Sequence, residues 1–139
     1  MLRTYQWLCG CCDGFTGLLL ILSPAWTLRL MGIRRLPESL EMASFVGVFV
    51  LGVGLAYLTM TAEPRTSGQA ARWRAVWLVT AIIRTLVAVF LAWQILGGRM
   101  EAGWSVVLAT DLILGLLQFA GLKLEWLEPM KTGRGGLGA

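Results

Sequence analysis

The sequence predicts an all-α integral membrane protein, a bundle of four transmembrane helices, and three observations carry that expectation. Of 139 residues, 57% are hydrophobic and 14% charged, whereas a soluble domain of this size carries about a quarter of its residues as charge. Four apolar stretches are each long enough to cross a bilayer, which takes about 20 residues at about 1.5 Å apiece. The seven tryptophans gather at the ends of those stretches, where the amphipathic indole meets the headgroup level.

The first predicted span covers 7–30, with Trp7 and Trp26 as its interface anchors. Pro24 is expected to bend it and to free a carbonyl one turn earlier. Arg34, Arg35 and Pro37 mark the loop that follows. The second span, 43–61, opens on Ser39 and Glu41, residues suited to a helix start, and Tyr57 lies near its far end. Pro64 and Gly68 punctuate the next loop. The third span, 73–96, is bounded by Trp73, Trp77 and Trp93, and the Gly97–Gly98–Arg99 turn leads into the fourth, 103–124, bounded by Trp104 and Trp126. Together these form one domain, 1–128. The Gly-rich remainder, 129–139, cannot bury a core and is expected to be a flexible tail.

Positive charge sets an expected orientation. Arg3, Arg65, Arg72, Arg74, Lys123, Lys131 and Arg134 fall on the side of the termini, against Arg29, Arg34, Arg35 and Arg99 on the other. Both termini are therefore expected in the cytoplasm, with the N-terminus a retained anchor rather than a cleaved signal. The basic charge faces anionic headgroups, and no aromatic-interleaved basic surface points to nucleic acid.

Two charges cannot be assigned to loops. Arg84 sits near the centre of the third span, and a central arginine costs about 2.5–3.5 kcal/mol on the insertion scale. Twelve Leu, Ile, Val and Phe residues between Val76 and Leu96 outweigh it. Asp111 lies in the fourth span, which the tight turn makes antiparallel to the third, so the two side chains reach similar depths. An Arg84–Asp111 ion pair is expected, with Thr80 and Gln118 beside it. Such a pair either locks two helices in register or lines a pocket that meets a ligand head group or moves protons. Asp13 has two readings as well. If the first span starts at Trp7 it is submerged and seeks Arg84 or water; if the span starts nearer Phe15 it is an acid at a helix N-terminus.

Small residues mark where helices can approach: Gly47, Gly52 and Gly54 in the second span and Gly115 in the fourth. The absence of histidine removes the commonest general base and metal or haem ligand. Cys9, Cys11 and Cys12 cluster near the start of the first span, without a second pair for electron relay, and read as packing residues or acylation sites. No catalytic residues and no metal site are expected. Two functions remain: a non-catalytic accessory or structural subunit of a larger respiratory or photosynthetic membrane complex, in contact with lipids and with other subunits or copies of itself, or a quinone-binding component of a membrane oxidoreductase. Lipid or quinone is the bound group these readings imply.

The segment 24–32, Glu41 leading into Gly47, Gly52, Gly54 and Leu55, and Asp111 with Gly115 resemble the DoxX-like superfamily of small four-helix bacterial membrane proteins. The resemblance covers 13–124 and is that of an outlying member, because the glycine-and-lysine pattern of the first helix and the Ser-Leu-Asp ending are missing. It implies a four-helix bundle in the bacterial cytoplasmic (inner) membrane. In some members it also implies association with a quinone-reducing oxidoreductase.

Overall fold

The computed structural model describes residues 2–62 and 70–127. It is all-α. Five helices, α1 (Leu2–Leu22), α2 (Pro24–Leu30), α3 (Leu40–Ala62), α4 (Ala70–Leu96) and α5 (Ser105–Lys123), are joined by a 3-10 turn at Ala102–Trp104 before α5. Four segments are long and apolar enough to cross a membrane: Thr4–Leu22, Leu40–Ala62, Ala70–Leu96 and Ala102–Lys123. The expected tail, 129–139, and the loop bearing Arg65 lie outside the described residues.

The first predicted span is divided. α1 ends at Leu22 and α2 begins at Pro24, with Ser23 between them at φ −147° and ψ 66°. Proline disfavours helical geometry in the residue before it, and its missing N–H deprives the carbonyl four residues earlier of a donor. That carbonyl belongs to Leu20. The Ser44 hydroxyl of α3 donates to it at 3.2 Å and lies 3.4 Å from the Ile21 carbonyl, so a side chain from the neighbouring helix replaces the lost backbone donors. Where no water is at hand, this replacement decides whether such a break is tolerated.

Three helices end alike. After α2 and α4 the chain turns through Gly32 at φ 85° and Gly98 at φ 68°. Ile33 N–H then bonds the Leu28 carbonyl at 3.0 Å, and Arg99 N–H the Gln94 carbonyl at 2.9 Å, the six-to-one bond of a Schellman cap. After α5 the same bond runs from Trp126 N–H to Gly121 at 3.0 Å, but the left-handed position holds Glu125 at φ 55°. A side chain there is strained. At the other kind of end, Ser39 Oγ donates to Glu41 at 3.0 Å and receives Met42 N–H at 3.4 Å as α3 begins.

The helices pack as two pairs. α1 lies along α3, and α4 along α5, while α1 makes no backbone approach to α4 or α5. The first pair is close because glycines face glycines. A Cβ on Gly54 would stand 2.7 Å from Gly14 Cα and 2.9 Å from the Gly10 carbonyl, and one on Gly17 would stand 2.7 Å from the Gly47 carbonyl. Gly115 faces Thr85 and Ala81 of α4. Gly52 does not serve this purpose: a Cβ there would meet nothing within 4 Å. Gly47 and Gly54 are two turns apart and share a face, whereas five residues from Gly47 turn Gly52 through about 140° to the outside.

Between the pairs the core is layered. At the end formed by the start of α1, the end of α3 and the start of α4, Cys9, Tyr57, Met60, Trp73, Trp77 and Leu127 pack together. At the opposite end Leu20, Leu28 and Ile33 form a second apolar cluster against Leu36, Leu40 and Trp104. There the loop after α2 is tied to the turn before α5 by Glu101, whose Oε1 accepts the backbone N–H groups of Arg34 and of Arg35, the latter at 3.0 Å. Polar side chains fill the middle.

Two of the seven tryptophans lie inside the bundle. Trp73 and Trp77 are each 1% exposed inside the bundle, whereas Trp7, Trp26, Trp93 and Trp126 face outward and Trp104 is half-buried. The reason is periodicity. Trp73, Trp77, Thr80, Ala81, Arg84, Ala88 and Leu91 recur at three- and four-residue intervals and form the inward stripe of α4.

Candidate functional site

The middle layer is built around Arg84, which α4 carries inward on the stripe of its two tryptophans. The side chain is buried, with 6% of the residue exposed. Nη1 donates to Asp111 Oδ1 at 2.5 Å, and Nη2 donates to Asp13 Oδ2. Asp111 comes from α5 and Asp13 from α1, and each carboxylate side chain keeps 15% exposure. Asp13 thus lies midway along α1, which starts at Leu2, and a single guanidinium holds acids from both helix pairs.

One turn away lies a second polar group. Tyr57 is fully buried, and its hydroxyl donates to Thr80 Oγ1 at 2.9 Å. Gln118 Nε2 donates to Thr80 Oγ1 at 2.8 Å and also to the Tyr57 hydroxyl. Thr80 in turn donates to the Val76 carbonyl at 2.8 Å. Thr80 and Gln118 therefore join Tyr57 rather than bonding to Arg84 or Asp111. This cluster spans α3, α4 and α5, as the ionic one spans α1, α4 and α5. Gln118 Oε1, Arg84 Nε, Trp77 Nε1 and both amide atoms of Gln6 are buried without a hydrogen-bond partner among the described residues.

Tyr57 and Gln6 were not identified as site residues from the sequence. Tyr57 reads there as an aromatic near a span end. Its spacing from Gly54, one turn back on the face that packs against α1, was the signal that it points inward. Gln6 carries no comparable signal, since it precedes the expected start of the first span.

On the outer surface, α3 and α4 diverge around a groove of about 490 Å³. Val48, Phe49, Gly52 and Ala56 form one wall and Val76, Val79 and Ile83 the other, with Thr80 between them. It is shallow and open along its outer side. The groove is therefore apolar except where it meets the hydroxyl that anchors the Tyr57–Gln118 cluster.

Cys9 is buried, and Cys11 and Cys12 are exposed on α1. No group of three or more His, Cys, Asp or Glu residues arranged to hold a metal ion occurs among the described residues. Comparison with protein-family models, with curated proteins and with solved structures finds no match. The chain is a small multi-span membrane protein by length, composition and helix count.

Proposed function

We propose that this chain is a non-catalytic accessory subunit of a larger membrane assembly, with its interior polar groups acting as ties between helices. The observation that carries this reading is the reach of Arg84. Elements α1 and α4 have no backbone contact, yet Arg84 joins them through Asp13 while also holding Asp111 of α5. Charged groups engaged in this way hold the bundle together; a buried pair broken by loss of one partner costs about 3–5 kcal/mol. The outward faces of all four spans remain apolar and free for lipid or for neighbouring subunits.

The resemblance to the DoxX-like superfamily agrees with a small bundle in the bacterial cytoplasmic membrane. The excess of arginine and lysine on the side of the termini supports placing both termini in the cytoplasm. The test is purification from the native membrane in mild detergent or nanodiscs, followed by native mass spectrometry. Other subunits at a fixed ratio are the expected result. A lone chain that turns over a substrate would overturn the reading.

The groove between α3 and α4 favours a second reading. A quinone-type amphiphile would lay its prenyl chain along the apolar walls and bring its oxygenated ring towards Thr80, with the Tyr57–Gln118 cluster behind it. Extraction of the purified protein would then yield stoichiometric quinone. Gly52→Leu, whose Cβ meets nothing within 4 Å and whose side chain would fill the groove, would lose it.

A further inference from the structure

Charge counting at the centre of the bundle leaves one negative charge over. Asp13 and Asp111 both address Arg84, and among the described residues Arg84 is the one cation facing them. The other titratable groups on this interior are Tyr5 and Cys9 of α1 and Tyr57 of α3; Arg29 of α2 is exposed. None of these supplies a positive charge. An uncompensated carboxylate surrounded by apolar helices in a bilayer is among the costliest arrangements available to a protein. It is relieved when the group takes a proton.

We propose that the Asp13–Arg84–Asp111 cluster is a proton-binding site, in which one of the two carboxyls carries a proton at neutral pH while the other pairs as a carboxylate with the guanidinium. The oxygen–hydrogen bond forms on a carboxylate oxygen not engaged by Arg84, with a proton taken up from the aqueous phase, and 15% of each aspartate side chain stays accessible. One further group shows unfilled polar demand at the same place: Arg84 Nε is buried without a hydrogen-bond partner among the described residues. A proton fits this donor set better than a metal cation. Sodium or calcium calls for six or so oxygen ligands, and here two carboxylates already share their oxygens with a guanidinium.

The account makes the aspartates equivalent in one respect: replacing either by asparagine reproduces a neutral carboxyl and leaves a balanced Arg–Asp pair. The test is infrared spectroscopy of the full chain in lipid nanodiscs at neutral pH. A protonated carboxylic C=O band that shifts in heavy water is expected in the wild type, and its loss is expected in both Asp13→Asn and Asp111→Asn. A second measurement does not depend on the band. Because the folded state binds one more proton than the unfolded state, the folded-to-unfolded ratio of the wild type should fall about tenfold per pH unit around neutrality. Both variants should lose that slope while remaining folded. Absence of the band in the wild type, or a flat pH dependence, would overturn the proposal. So would an absent band accompanied by stabilisation with sodium, which would make the site a cation site.

Discussion

Replacing Gly54 and Gly52 by alanine places the same methyl group on opposite faces of α3, and the two outcomes should have opposite sign. At Gly54 the new Cβ would lie 2.7 Å from Gly14 Cα and 2.9 Å from the Gly10 carbonyl oxygen. Carbon atoms rest about 3.5–4.0 Å apart, so α1 and α3 must separate by about 1 Å, and a gap of that size forfeits a quarter to a half of each contact's attraction. The obstruction is backbone and cannot rotate away. Overpacking of this kind costs about 1–3 kcal/mol, against about 1 kcal/mol returned by alanine's better helix propensity, leaving a net loss of up to about 2 kcal/mol. At Gly52 nothing lies within 4 Å, so only the propensity gain applies, about 0.5–1 kcal/mol. The two variants should therefore differ by the overpacking cost, about 1–3 kcal/mol, up to about two orders of magnitude in the folding equilibrium. Unfolding from mild detergent by added SDS, followed by the fluorescence of the buried Trp73 and Trp77, measures this directly. Equal stabilities for the two variants would refute the close α1–α3 contact.

Ser44→Ala should cost about 1–3 kcal/mol in the same assay, because the carbonyls of Leu20 and Ile21 lose their outside donor. Pairing Ser44→Ala with Pro24→Ala should recover part of that loss, since alanine restores the backbone N–H that proline lacks. Glu125→Gly should stabilise the end of α5 by roughly 1 kcal/mol, read as a higher melting temperature, because the left-handed backbone there carries a side chain.

Much of the architecture is legible in the sequence because the bilayer imposes length. Four apolar runs of about 20 residues leave few alternatives, and Gly97 and Gly98 separate the last two at a turn. Arg84 and Asp111 are visible for a related reason: a charge inside such a run demands an explanation. Asp13 is less visible, since its meaning turns on where α1 begins, and helix ends are where sequence signals are weakest. Trp73 and Trp77 show the limit of a position-along-the-helix argument. Their place near a span end favours the headgroup level, but their three- and four-residue spacing from Arg84 turns them inward, and angle about the axis outweighs depth along it. Gly52 is the same lesson in reverse. Tyr57 pairs with Thr80 and Gln118 across three helices, and no local pattern records a contact between residues 61 positions apart.

The central claim is that Arg84 ties α1 to the α4–α5 pair, and a double-mutant cycle between Arg84→Met and Asp13→Asn measures that tie. Arg84→Met alone leaves two buried acids without a cation and should cost about 3–5 kcal/mol. Adding Asp13→Asn removes one of those acids, so the double variant should be more stable than additivity predicts, with a coupling of about 1–3 kcal/mol. Losses that simply add, to within about 0.5 kcal/mol, would contradict the account and leave the two helix pairs held by packing and the Tyr57–Thr80–Gln118 hydrogen bonds.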